Sequence, residues 1–481
     1  MQRVTDSNDL SRALLKNTAW GVLGEFATRG AKIAQIILMA RILGAGEIGR
    51  FNYALAIAGL FSVMFDFGVA TIAVRELSRD PAGPALRLYG RVKLLSSVVG
   101  VLLVVGAVLL TPMQLADRYL AFGLGFYLAF NDFSAYVVVA YRARGEFWRE
   151  TAWRVGIAAM QLVAFIGALL LTHQVIWIVV ALVAAAILGL APLIGEWIRQ
   201  PLVSGNDVGI GGIVKAIREC LPLAGTVLVG TVYMNFDVVI LGQYVGMEEV
   251  GWYSVVVKTI FSLLIMPLHY LQLATLPVFA AELGGGSSSA TNNRWLCGFV
   301  LSTTAGAMIM LGTAVVANEL LTLMFGSAFS AAGPVLVAYV LIGFLFYLYT
   351  PLAQWLLLQG RQKWSLFVQA LAMAANLVLV PLWVPRWGVW GAVLAAAATH
   401  AIIAIGHFIL VLHAGGFSRR EEGWWSLLRV AIGVTLGISV LKFGGGGGAL
   451  TKCVALTLFL VCAHQEIAEF FHHTYLRIRP Q

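Results

Sequence analysis

The sequence predicts an all-α polytopic membrane protein of about fourteen transmembrane helices, built as two pseudo-symmetric six-helix bundles plus a C-terminal helix pair. Three observations predict it. Of 481 residues 60% are hydrophobic and 11% charged, with mean hydropathy +0.87, whereas a soluble domain is about 25% charged. Apolar runs of about 20 residues, the length that crosses a ~30 Å hydrocarbon core, recur from Asn17 almost to the C-terminus. Finally, a short motif that follows the first run returns after the seventh.

The runs cover 18–42, 50–74, 94–112, 119–140, 154–172 and 175–196, then 220–244, 253–280, 296–317, 334–358, 364–384 and 388–412, and lastly 424–442 and 449–465. Residues 1–197 therefore form the first bundle, 198–412 the second, and 413–481 a helix pair with a cytoplasmic tail. Gly44-Ala45-Gly46-Glu47-Ile48-Gly49-Arg50-Phe51 after the first run matches Gly246-Met247-Glu248-Glu249-Val250-Gly251-Trp252-Tyr253 after the seventh, with Gly, Glu, Gly and an aromatic in register. Ala70-Thr71-Ile72-Ala73-Val74 is echoed by Ala274-Thr275-Leu276-Pro277-Val278. Six spans separate the copies, and an even number preserves orientation. The halves are thus expected to be parallel repeats about an axis along the membrane normal, with a cavity between them.

Charge assigns the orientation. With the N-terminus inside, twenty-two basic residues fall on the inner side, among them Arg75, Arg79, Lys93, Arg142 and Arg154, and six on the outer: Arg41, Arg50, Arg118, Arg386, Lys442 and Lys452. This is the positive-inside pattern, and it places both termini in the cytoplasm. The formal charge of +9 is thereby explained by topology and the anionic inner leaflet, and no nucleic-acid partner is expected. The first apolar run is too long and too polar along one face for a cleavable signal peptide.

That polar face is the most informative local feature. Glu25, Arg29 and Lys32 fall within a ~60° arc at 100° per residue, on a helix otherwise rich in Ala, Ile, Leu and Met. Each charge at bilayer depth costs roughly 2.5–3.5 kcal/mol on insertion scales, so the stripe must face a protein interior or a watery cavity and is a candidate wall of a transport path. In the second half Lys258 offers a partner cation. Arg supplies a planar fork and Lys a compact point charge, donors suited to a dehydrated diphosphate. Ion pairing is the plainer reading: Glu25 with Arg29 at i,i+4, and Lys258 with Asp237 on a neighbouring helix. Glu25, Asp237 and Asp66 are also intramembrane carboxylates able to bind a coupling proton or cation.

Other features are structural. Asp66-Phe67-Gly68 has none of the elements that accompany this tripeptide in kinases and reads as a helix-end or packing feature. Cys220, Cys297, Cys453 and Cys462 show no metal spacing and read as reduced packing residues. His400 and His407 share one face of the twelfth run; with no third ligand nearby, a satisfied interior pair is expected rather than a metal site. The longest loops, 75–93 and 197–219, hold about twenty residues, which leaves no room for a soluble catalytic domain.

From Asn17 to Asp80 the chain resembles the polysaccharide flippases of the multidrug/oligosaccharidyl-lipid/polysaccharide transporter superfamily. The resembling residues are Ala40-Arg41-Ile42-Leu43-Gly44, Glu47-Ile48-Gly49-Arg50-Phe51, Asp66-Phe67-Gly68 and Arg75-Glu76-Leu77. A second stretch comprises Pro222, Asp237, Leu241-Gly242, Gly246, Val250-Gly251-Trp252-Tyr253 and Lys258; a third, Phe325-Gly326, Gly360-Arg361-Gln362-Lys363, Asn376, Pro381 and Gly388-Val389-Trp390-Gly391. The resemblance implies two six-helix halves that alternate access. Its substrate would be an undecaprenyl-diphosphate-linked oligosaccharide carried from the cytoplasmic to the periplasmic leaflet of a bacterial inner membrane, for O-antigen (lipopolysaccharide), capsule or exopolysaccharide assembly. It also implies a cationic cavity, which Arg29, Lys32 and Lys258 fit; Glu25 departs from it by partly cancelling the field.

The expectation is accordingly a non-enzyme without a cofactor, driven by an H+ or Na+ gradient or by membrane potential, with the lipid-linked substrate and bilayer as partners and polysaccharide polymerase and export machinery as further ones. The rival readings are a peptidoglycan lipid-precursor flippase, a cation-coupled multidrug exporter of the same fold, and a membrane glycosyltransferase or polymerase. The last is disfavoured by short loops that lack paired carboxylates.

Overall fold

The computed structural model of the chain describes residues 7–79, 85–199, 210–269, 271–272, 275 and 288–414. Among them there is no strand: helix follows helix through short connections. Helix α1 runs Ser7–Leu60, followed by α2 (Ser62–Asp66), α3 (Val69–Arg79), α4 (Ala85–Leu110), α5 (Leu115–Ala143), α6 (Phe147–Thr172), α7 (Val175–Arg199) and α8 (Ile210–Tyr244). Next come α9 (Met247–Ser254) and a π-helical turn, Val255–Phe261, then α10 (Ser288–Val315), α11 (Ala317–Phe325), a 3-10 turn (Ser327–Ala332), α12 (Gly333–Leu358), α13 (Gln362–Trp387) and α14 (Val389–His413).

Among the described residues ten helices are long and apolar enough to cross a membrane, and these correspond in order to the third to twelfth expected runs. The first two runs occupy the bent pair Trp20–Leu60 and Ser62–Ser78, set at 51°, which makes an eleventh candidate if taken as one span. The last two, 424–442 and 449–465, lie outside the described residues.

The first two spans differ in detail from the expectation. The segment after Gly44 is not a loop, because helix resumes at once; the break is a kink at Gly44, where φ of 82° and ψ of −178° suit glycine alone. The expected continuous second span, 50–74, is broken at Phe61 and again at Phe67-Gly68. Both residues of that second break are left-handed, at φ 48° and 68°, and two successive residues of that hand cannot continue a right-handed helix. Asp66 is the last residue of α2, so Asp66-Phe67-Gly68 is indeed a helix end.

The chain forms two compact units, Met1–Gly251 and Trp252–Gln481. This division by packing differs from the division by repeat, which opens the second half at residue 198. Helix α8 packs on α1, α2, α3 and α4 and so belongs to the first unit. Glycines permit the approach: a Cβ on Gly242 would stand 2.2 Å from the Tyr53 ring, and one on Gly59 2.9 Å from Asn235 Oδ1. Within this unit α1 also packs on α5 and α6, and α5 on α7. A core of Leu77, Tyr89, Tyr136, Val139 and Cys220 lies where α3, α4, α5 and α8 meet.

In the second unit α13 and α14 pack together, and α12 packs on both α10 and α14. Trp295, Phe299, Leu352, Trp355 and Val411 form one core cluster there. Large aliphatic side chains point outward, Leu110 at 88% exposure and Leu171 at 86%. An apolar periphery around a polar-containing interior is the pattern of helices solvated by lipid.

Candidate functional site

Helix α1 approaches α6 closely because Gly24 faces Thr151: a Cβ there would meet Thr151 Cγ2 at 3.2 Å. The Thr151 hydroxyl donates to the Trp20 carbonyl at 3.0 Å, fastening the two helices at this level. One turn further along α1, Glu25 reaches across the same seam.

Its carboxylate is shared between two guanidinium groups. Arg29 Nε donates to Glu25 Oε1 at 2.5 Å, and Arg154 Nη2 donates to Glu25 Oε2 at 2.9 Å. Arg154 also lies 3.9 Å from Glu150, one turn earlier on α6. Glu150 is buried in the first turn of α6, where the helix N-terminus favours an anion. It accepts a two-pronged bond from Arg142 at the end of α5, with Arg142 Nε at 2.9 Å from Oε2 and Nη2 on Oε1.

The result is an alternating chain, Arg29, Glu25, Arg154, Glu150, Arg142, that ties α1, α6 and α5 together. Arg29 and Lys32 are exposed, and Glu25 and Arg154 are about one-third exposed. With Lys32, four cations face two carboxylates, so this wall keeps a surplus of two positive charges. The arrangement presents guanidinium groups from two helices to one anion, the geometry in which Arg recognises phosphate.

The expected Glu25–Arg29 pair is therefore present. What sequence reasoning missed is Arg154, Arg142 and Glu150, since both arginines read as inner-side loop residues. The i,i+4 spacing of Glu150 and Arg154 at the start of an apolar run was the available signal; their meeting with Glu25 is long-range and left none.

The other expected residues of the first unit are on other helices, Asp66 on α2 and Asp237 on α8. Asp66 is half-buried at the end of α2, within electrostatic reach of Asp132 on α5. Asp132 accepts from the ammonium of Lys93, which is 1% exposed within α4. Lys93 thus lies inside a span, paired, where the charge pattern had put it at an inner-side loop. Asp237 is buried in α8, and its Oδ1 accepts from the Val238 N–H at 2.8 Å. Lys258 belongs to the second unit, half-buried on the π-helical turn, a local widening of the helix that is frequent at functional sites.

The second unit has its own polar interior. His407 Nδ1 lies 2.8 Å from the Ile403 carbonyl and therefore carries the proton, so Nε2 accepts from the Ser365 hydroxyl at 2.8 Å. Gln369 Nε2 is 3.3 Å from the same Ser365 oxygen. Tyr349 stacks against both His400 and His407, and its hydroxyl is 3.3 Å from His400 Nδ1. His400 and His407 form the satisfied interior pair that their spacing suggested.

A family model described as "Polysaccharide biosynthesis protein" matches residues 14–282, and one described as MatE matches residues 222–382. Among solved structures the chain is similar to the lipid II flippase MurJ in an inward closed conformation, with a TM-score of 0.72 and 12% identity over 95% of this chain and 100% of that one. It is similar to an inward-facing multidrug resistance MATE family transporter of the MOP superfamily at a TM-score of 0.62 and 15% identity, covering 82% and 95%. A MOP superfamily transporter from Pyrococcus furiosus, described as having a binding pocket of reverse polarity, aligns at 0.53 and 15%, covering 89% and 96%. At these identities the likeness is one of fold. No curated protein sequence matches the chain.

Proposed function

The chain belongs to the polysaccharide biosynthesis protein family, and from that premise we propose that it is a flippase for undecaprenyl-diphosphate-linked oligosaccharide units. It moves them from the cytoplasmic to the periplasmic leaflet of a bacterial inner membrane, with both termini cytoplasmic, by alternating access, for O-antigen, capsule or exopolysaccharide assembly. The observation that carries this reading is the cationic surplus on α1 and α6, where Arg29 and Arg154 converge on one anion. A polyprenyl diphosphate is an anion whose tail stays in lipid, so its headgroup needs cationic donors at the lipid–protein boundary of a path.

In this reading the diphosphate binds Arg29 and Arg154, with Lys32 as a further cation, while the glycan stays hydrated. Membrane potential assists: each net charge crossing 100 mV corresponds to about 2.3 kcal/mol. Asp66 and Asp237 are the carboxylates proposed for coupling to H+ or Na+, and a polymerase and export machinery are the proposed partners downstream. The similar structures are described as a flippase and as a transporter, not as enzymes.

The test is mass spectrometry of polyprenyl-linked lipids in the native host after deletion of the gene. Accumulation of a complete undecaprenyl-diphosphate oligosaccharide supports the reading and identifies the cargo; an unchanged pool, with no redundant flippase, overturns it. The fold likeness to MurJ over the whole of that chain favours one second reading, a flippase for the peptidoglycan lipid precursor. Loss of growth on depletion, with accumulation of that precursor, would select it.

A further inference from the structure

The position of Glu25 has a consequence for how the diphosphate is taken up. Its two oxygens are divided between guanidinium groups on different helices, Oε1 with Arg29 of α1 at 2.5 Å and Oε2 with Arg154 of α6 at 2.9 Å. A phosphate oxygen pair would use the same two donors. We propose that Glu25 is a placeholder anion: it occupies the diphosphate subsite in the empty protein and is displaced when the diphosphate binds. The proposal rests on the diphosphate reading above and adds to it the competitor that sets affinity and the contact that binding breaks.

Three features support exchange over a permanent structural pair. Glu150, the other carboxylate of the chain, is buried, in the first turn of its helix and held two-pronged by Arg142. Glu25 is about one-third exposed, is not in a terminal turn of α1, and has an exposed Arg29 as one partner. It can swing out without leaving a carboxylate buried. The incoming group also carries two or more negative charges against one, so both arginines gain by the exchange.

Exchange has a structural result. The Glu25–Arg154 bond crosses from α1 to α6, as does the Thr151–Trp20 bond beside it. Moving Arg29 and Arg154 from Glu25 to the substrate replaces a direct tie between α1 and α6 with one that runs through the diphosphate, so the empty and the loaded site hold the two helices by different contacts.

The test uses the full chain in lipid nanodiscs, with farnesyl diphosphate as the lipid-linked probe and inorganic pyrophosphate as the free one, against wild type, Glu25→Gln and Glu25→Asp. Removing the competitor in Glu25→Gln should tighten binding of the lipid diphosphate roughly five- to ten-fold, the scale of two partly exposed ion pairs. Glu25→Asp, too short to bridge both arginines, should fall between. Hydrogen exchange of residues 20–29 and 151–154 should be higher in empty Glu25→Gln than in empty wild type, and should fall in that variant when the diphosphate bridges Arg29 and Arg154.

Equal or weaker binding by Glu25→Gln, in protein that melts like wild type, overturns the placeholder while leaving the diphosphate reading intact. Binding of neither probe by any of the three proteins overturns both. Tightening for pyrophosphate alone overturns the assignment to a lipid-linked substrate.

Discussion

Gly49 and Gly251 lie against each other, and each sits on the other's motif. A Cβ on Gly49 would stand 1.8 Å from the Met247 carbonyl oxygen and one on Gly251 2.1 Å from that of Ala45. Met247 and Ala45 are themselves equivalent positions in the two motif copies, so the contact is reciprocal, residue i on j and j on i, as across a two-fold axis. The recurring glycines are explained by this crossing: backbone touches backbone, and no side chain fits between.

Alanine at Gly49 or Gly251 should therefore destabilise the protein by about 1–3 kcal/mol or more, the usual range for overpacking, because the obstacle is backbone that cannot rotate away. Gly46→Ala is the control, since its Cβ would make an ordinary 3.7 Å contact with Glu248. Thermal melting in detergent should separate the first two variants from the third; equal melting of all three would refute the close crossing.

Arg154→Ala should reduce transport of the lipid-linked substrate about ten-fold or more, as Arg29→Ala should, with normal membrane insertion. Arg154→Lys should recover only part of it, because a point charge cannot reproduce the guanidinium fork. Flux assayed in proteoliposomes decides; wild-type flux in both alanine variants would remove these residues from the path.

Lys93→Met should destabilise the first unit by about 3 kcal/mol, the lower end for breaking a buried ion pair, given that the Asp132 side chain is 32% exposed. Adding Asp132→Leu should restore most of the loss, because two apolar groups need no counter-charge. A double variant no more stable than the single one would show that Asp132 has another essential partner.

Ser365→Ala should cost about 1–3 kcal/mol, the range for leaving a buried acceptor without its donor, here His407 Nε2. His407→Leu on that background should be milder than the two single losses added together, since both ends of one bond are then gone. Melting curves of the three proteins test the bond, and strict additivity would argue against it.

Much of the fold was legible because solvent imposes it. A chain in lipid must hydrogen-bond its backbone within each segment, so run length and composition alone specify helices. The run 364–384 therefore falls within α13, and 388–412 lies within α14 except for its first residue, Gly388, the N-cap. The second span was less legible: in 50–74 only Gly59 and Gly68 hint at the breaks at Phe61 and Phe67, and a phenylalanine in the left-handed region is held there by its surroundings.

The candidate site was half legible for a related reason. Glu25, Arg29 and Lys32 share a face by helical period, a local property, and the i,i+4 pair followed from it. Arg154 is 129 residues from Glu25 and Arg142 is eight from Glu150; only the packing of α1 on α6 brings the chain of five charges together.

By itself, then, the sequence determined what each segment is, a helix whose apolar surface meets lipid and whose charged stripe does not. It also determined that a motif recurs after the seventh apolar run, because these depend on composition, period and spacing. The tertiary structure alone decided which charges answer one another and why the recurring glycines are needed. A long-range ion pair and a backbone crossing are set by which helices touch, and no residue's neighbours along the chain record that.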